Sequence, residues 1–201
     1  MAKPLVAIVG RPNVGKSMLF NKLTGKRVSI VEDTPGVTRD RIYGDCEWCD
    51  RTFALVDTGG IEPGTDSDML KFMRRQAEIA IETCDVILFF TDGRTGMTAD
   101  DEDVAVMLRK SGKPVIVCVN KIDSIGALPM EYYEFYELGF EREPIALSSL
   151  HGTGTGDLLD AIIEECDFSD NEPEDDAVIN VAVIGKPNAG KSSIINRMCG
   201  E

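Results

Sequence analysis

Gly10-Arg11-Pro12-Asn13-Val14-Gly15-Lys16-Ser17 follows an apolar run and precedes a run of helical spacing, and G-x-x-x-x-G-K-S in that setting reads as a phosphate-binding loop. Pro4 to Val9 has the unbroken apolar character of a strand buried on both faces of a parallel sheet, and Leu19, Phe20 and Leu23 repeat at helical spacing after Lys16. The glycines let the backbone curl so that successive N–H groups point at a phosphate, beside the positive end of the following helix. Lys16 is then expected to reach the β- and γ-phosphates and Ser17 to bind magnesium, with Met18 closing the phosphate-binding stretch. The alternative is a glycine-rich turn that only caps a helix.

Outward from the loop, strands and helices alternate. Lys26 to Arg39 has no sustained period and reads as a long loop. Arg41–Trp48 and Arg51–Val56 are strand-like runs separated by Cys49-Asp50, which predicts an antiparallel hairpin at one side of the sheet. The second run ends in Asp57-Thr58-Gly59-Gly60, where a nucleotide site wants a magnesium-associated carboxylate and a free backbone amide; taken alone, it is equally a turn. Asp68–Cys84 is expected to be a helix with Leu70, Met73, Ala77, Ile81 and Cys84 inward. Val86–Thr91, a helix over Asp100–Lys110, Pro114–Val119, a helix over Met130–Leu138, Pro144–Leu147 and a helix over Gly156–Cys166 follow. Tyr132, Tyr133, Phe135 and Tyr136 are read as packing rather than as a platform for bases. The pattern predicts an α/β, P-loop NTPase fold: a mostly parallel six-stranded sheet, helices on both faces and one antiparallel edge hairpin, with ligands beyond the carboxyl ends of the strands.

The charge of −14 argues against a direct grip on nucleic acid or an anionic membrane, both of which need a cationic surface. No segment approaches the about 18 apolar residues of a membrane span, and Arg11 interrupts the N-terminal apolar run, so a cytoplasmic protein without a membrane partner is expected. The 6 cysteines have no framework spacing and are expected to be reduced; Cys46 and Cys49 form a lone C-x-x-C, far from His151, which is weak support for a metal.

Asp167 to Asp176 is acidic, carries a proline and lacks apolar spacing, as a linker does. Beyond it the chain repeats itself: Gly185-Lys186-Pro187-Asn188-Ala189-Gly190-Lys191-Ser192 aligns without a gap on Gly10–Ser17, a domain's length upstream. Three regions are therefore expected: 1–166 as a first domain, 167–177 as linker and 178–201 as the start of a second domain whose phosphate loop is incomplete as a site. The whole is read as a monomeric fragment of a longer tandem protein.

These motifs together resemble the EngA/Der family of tandem Era-like GTPases, over all 201 residues. The resemblance rests on Gly10–Ser17, Pro35-Gly36-Val37-Thr38-Arg39-Asp40, Asp57-Thr58-Gly59-Gly60, Asn120-Lys121-Ile122-Asp123, Ser148-Ser149-Leu150 and the second loop at Gly185–Ser192. It implies GTP and GDP binding, magnesium, hydrolysis of GTP, and a role in assembling the large ribosomal subunit, with ribosome or ribosomal RNA met through the full-length protein only. A module that senses GTP and GDP with little hydrolysis is the rival reading; an ATPase or kinase is disfavoured by Asp123, whose carboxylate can accept from both N1–H and the 2-amino group of guanine, a donor pair adenine lacks.

Asn120 is then expected at the other edge of the base, Lys121 along its face and backbone amides near Ser149 at the guanine O6; the family usually has alanine where Ser149 stands. Thr38 resembles the magnesium-binding switch threonine, with Thr34 as competitor, and Gly60 heads a second switch over Gly59–Lys71. Ile61 stands where Ras-like enzymes carry a water-orienting glutamine, and cannot hold a water. The resemblance supplies a substitute: an asparagine at the position of Asn13 that helps bind potassium, the alternative being that Asn13 only shapes the loop. Arg11, Arg39 and Arg41 are read as solvated surface residues rather than as fingers on the phosphates.

Overall fold

In the computed structural model of the chain, the residues described are 3–25, 28–29, 42–58, 69–123 and 126–168. The chain divides into two units, Met1–Asp170 and Asn171–Glu201, and all of these residues lie in the first. The linker beyond residue 168, the expected start of a second domain at 178–201 and its phosphate loop at Gly185–Ser192 therefore lie outside the described residues.

Among the described residues, seven strands form one sheet in the order β2-β3-β4-β1-β5-β6-β7. They are β1 (Leu5–Gly10), β2 (Val28–Ser29), β3 (Ile42–Trp48), β4 (Arg51–Asp57), β5 (Val86–Asp92), β6 (Val115–Asn120) and β7 (Ile145–Ala146). From β4 to β7 the pairings are parallel, while β2, β3 and β4 pair antiparallel. The six strands expected from sequence are present. The seventh is β2, inside the stretch expected to be loop: two residues are too few to show a period of two, and only their pairing with Gly44 and Tyr43 of β3 makes them a strand. The β3–β4 turn is Cys49-Asp50, both with positive φ (47° and 59°), the geometry of a type I′ hairpin turn.

The helices are α1 (Lys16–Thr24), α2 (Met69–Thr83), α3 (Ala99–Lys110) and α4 (Thr155–Glu165). Alternation along the strands divides the core into two layers. Val6, Ile8, Leu88 and Phe90 point to the side where Leu19 and Phe20 of α1 and Leu158 and Ile162 of α4 pack. Ala7, Val9, Ile87 and Phe89 point to the other side, against Met73 and Ala77 of α2 and Val104 and Leu108 of α3. Every residue of β5 is buried, as a strand covered on both faces must be.

Two elements differ from the expected form. Met130–Leu138 is a 3-10 helix, and its buried residues Tyr132, Phe135 and Leu138 recur every third position, the period of that helix. The same period turns Tyr133 and Tyr136 outward, exposed and stacked on each other, so the aromatic cluster is packing only in part. On α2, Gln76 and Ala80 are buried with Met73 and Ala77, whereas Leu70 and Ile81 are only partly covered. α3 begins with a capping box between Thr98 and Asp101, which satisfies two of the N–H groups that a helix start leaves without partners.

Candidate functional site

The sheet order makes β1 the point from which the chain winds to either side, and the motifs gather at the carboxyl ends of β1, β4, β6 and β7. The phosphate loop leaves β1 at Gly10. A Cβ there would lie 2.3 Å from the carbonyl oxygen of Phe90, so only glycine lets β1 run against β5 and turn. Asn13 and Gly15 take positive φ (61° and 99°), which curls the loop. α1 then starts at Lys16, after a glycine N-cap and with no side-chain cap, and an uncapped helix start is where the backbone suits an anion.

The buried Lys16 lies across this cradle, its Nζ donating to the carbonyls of Gly10 (2.7 Å) and Arg11 (2.6 Å). Pro12, Asn13, Gly15, Lys16, Ser17, Met18 and Phe72 line a cavity of about 330 Å³ beside it. Val14 is instead buried in the core, so its contribution to the loop is its backbone.

Asp57 ends β4 alongside the loop, and its Oδ2 accepts a 2.8 Å hydrogen bond from Ser17 Oγ. A hydroxyl and a buried carboxylate held together are the hard oxygen donors that magnesium takes, so these residues fit that ion. Thr58 donates to the Ile8 carbonyl at 2.6 Å and so anchors the end of β4 to β1. Thr38, Gly59, Gly60 and Ile61 lie outside the described residues, as do Thr34, Arg39 and Arg41.

At the other end of the site, Asn120 closes β6 and is buried. Its Nδ2 donates to the Val14 carbonyl at 2.6 Å and its Oδ1 accepts from the Ser149 N–H at 2.8 Å. One side chain thus ties the phosphate loop to the Ser148–Leu150 loop, using one of its two amide hydrogens. A Cβ on Gly15 would come within 2.2 Å of Asn120 Nδ2, so the second loop glycine is fixed by this contact as well as by its backbone.

Lys121, with positive φ (68°), donates to Asp92 Oδ2 at 2.6 Å. Burial pushes the Asp92 carboxyl up, but hydrogen bonds from Lys121 and from the Arg94 N–H outweigh it and leave it below the usual range. Asp123 accepts from Ser148 Oγ at 2.6 Å through Oδ1 and from Arg94 Nη2 through Oδ2. Together these hold its carboxyl below the ordinary value, the Ser148 bond contributing most. Ser149 is buried and Leu150 is exposed, with the Leu150 carbonyl accepting from Lys22 at 3.1 Å.

Arg11 corrects the sequence reading. It is neither a solvated surface arginine nor aimed at a phosphate: its Nε pairs with Asp101 Oδ1 at 3.1 Å, with the Asp101 side chain fully buried. Burial pushes the Asp101 carboxyl up, opposed by the charge and hydrogen bonds of Arg11 and by those of Thr98. The loop is therefore braced against the start of α3. Asp101→Asn keeps an acceptor oxygen and removes the charge, and is expected to cost about 1.5–3 kcal/mol, read as a lowered midpoint in urea unfolding.

Three polar residues had no place in the sequence reading. Gln76, buried on α2, accepts from the Gly10 N–H at 3.2 Å; Asp92 and Arg94 belong to the end of β5 and the turn after it. An acid at the carboxyl end of a buried strand was the available signal for Asp92; Gln76 and Arg94 had none. Burial raises the Cys46 thiol to about 11, which disfavours the reactive thiolate, while Cys49 is exposed in the hairpin turn.

No helix among the described residues is long and apolar enough to cross a membrane. The family model described as a 50S ribosome-binding GTPase matches residues 5–121 and 180–201. The chain is 61% identical over 201 residues to the protein named GTPase Der of Acetivibrio thermocellus and covers 46% of it. It is 58% identical over 201 residues to GTPase Der of Clostridium perfringens, covering 45% of that protein, so it spans about half the length of the curated relatives it matches. Among solved structures, Aquifex aeolicus Era bound to GDP and AlF4− is 34% identical with a TM-score of 0.63, over 83% of this chain and 58% of that one. Era in complex with MgGDPNP and nucleotides 1506–1542 of 16S ribosomal RNA is 33% identical with a TM-score of 0.61, over 82% of this chain and 57% of that one.

Proposed function

The chain belongs to the 50S ribosome-binding GTPase family, on the Der (EngA) branch its sequence resembles, and from that premise we propose that it binds GTP and GDP and hydrolyses GTP as a magnesium-dependent switch. The observation that carries this reading is Asn120, which holds the phosphate loop and the Ser148–Leu150 loop around one space.

The residues divide the work. The amides of Gly10–Ser17 and the start of α1 bind the phosphates, and Lys16 moves from the loop carbonyls onto the β- and γ-phosphate oxygens, where its charge offsets charge developing on them. The Ser17 hydroxyl would hold magnesium with the Asp57 carboxylate behind it, and the ion would supply positive charge against the phosphates. Asp123 takes the two donors of guanine, Asn120 the other edge of the base, Lys121 its face, and the amides of the Ser148–Leu150 loop its O6. Thr38 and the Asp57–Gly60 stretch sense the γ-phosphate, and the switch output goes to partners on the large ribosomal subunit, which the full-length protein meets.

Ile61 cannot orient the attacking water, and Asn13, an exposed residue beside the phosphate cavity, would help hold a potassium ion whose charge would offset charge developing on the phosphates. With magnesium and equal ionic strength, phosphate release from GTP is expected to be faster in potassium than in sodium, and Asn13→Ala is expected to erase the difference. Ile61 also favours a second reading, a module that binds GTP and GDP with little turnover; equal, negligible release in both salts alongside tight GDP binding would select it.

A further inference from the structure

We propose that Arg94, in the turn after β5 and outside every nucleotide-binding motif, is a positioning residue for guanine recognition: it fixes the Asp123 carboxylate from the side opposite Ser148. The inference rests on the guanine-site reading above. A carboxylate that must take two parallel donors from N1–H and the 2-amino group is useful only if its plane is held, since a free carboxylate rotates about its last bond. Here each oxygen is held separately, Oδ1 by the Ser148 hydroxyl and Oδ2 by Arg94 Nη2. Each oxygen has room for a second donor, so both can bind a base while these partners stay in place.

The arginine is itself anchored through its backbone. Its N–H donates to Asp92 Oδ1 at 2.9 Å, and the other Asp92 oxygen takes Lys121 at 2.6 Å. Asp92 also lies directly beside Asn120 in the β5–β6 register. The turn after β5 is thus tied to the Asn120–Asp123 stretch by Asp92 and returns to its last residue through Arg94. Only one guanidinium nitrogen makes the contact, and the Arg94 side chain is 68% exposed, so the expected effect is modest and sensitive to salt.

The test compares GDP with inosine diphosphate, which lacks the 2-amino group, on the 201-residue chain and its Arg94→Ala and Arg94→Lys variants. Arg94→Ala should weaken GDP binding about two- to fivefold at low salt, by the worth of an exposed ion pair, and inosine diphosphate by less. The ratio of the two affinities should therefore fall, Arg94→Lys should restore part of it, and the difference from wild type should shrink at high salt. An unchanged ratio, or tighter GDP binding by Arg94→Ala, would overturn the proposal, the latter by making Arg94 a competitor of the base. If the unsubstituted chain fails to bind GDP at all, it is the guanine-site reading that falls.

Discussion

Asp123→Asn is expected to exchange a preference for guanine for a preference for xanthine. The asparagine keeps one acceptor for N1–H but turns a donor toward the 2-amino group, so two donors face each other; xanthine has a carbonyl at that position and restores the pair. A fully buried site that loses such a match discriminates by roughly 10⁴–10⁵. Asp123 is 25% exposed, so water relieves part of the mismatch and the loss of GDP affinity should be on the order of 100-fold. Stability should change little, because Asp123 lies at the rim and the asparagine oxygen can still accept from Ser148. Titration of the variant with GDP and xanthosine diphosphate reads the effect; unchanged GDP affinity removes Asp123 from the base site.

Asn120→Ala should behave in the opposite way, damaging fold and binding together. Truncation strands the Val14 carbonyl and the Ser149 N–H in a region sealed from water. At about 1–3 kcal/mol for each buried group left without a partner, the loss is roughly 2–6 kcal/mol, a large share of the stability of a domain. The phosphate loop also loses its tie to the Ser148–Leu150 loop, so GDP binding should fall by more than the lost base contact alone explains. Urea unfolding and GDP titration on one preparation separate the two effects: a variant of full stability would mean that Asn120 is a base contact and not a strut.

The contrast between these neighbours shows where sequence is informative. Local order could be read from short windows: the apolar run of β1, the loop at Gly10–Ser17, the acids opening α3 and the motif residues at strand ends are each set by adjacent residues. What could not be read was pairing at a distance. Arg11 finds Asp101 90 positions on, Gln76 meets Gly10 across 66, and Arg94 reaches Asp123 across 29. Those partners are set by how α2, α3 and the turn after β5 pack against β1 and β6, and nothing in the local pattern of a glutamine or an arginine signals it. The same holds for β2, which is defined by its partner strand, and for Met130–Leu138, where a short aromatic run fits α and 3-10 spacing almost equally well.

For Asn120 the motif gave the residue and the expectation of a base contact, while the structure adds the two bonds that make it part of the frame. For Asp123 the motif gave the expectation of a guanine contact, and the structure adds the hydrogen bonds that Ser148 and Arg94 make to its two oxygens.

The measurement that bears most directly on the whole account is phosphate release by the 201-residue chain with magnesium and potassium, from GTP and from ATP in parallel, with Lys16→Ala as control. Release from GTP, little from ATP, and loss of the GTP signal in the variant are expected. Equal use of the two nucleotides, or GTP turnover that survives removal of Lys16, would contradict it.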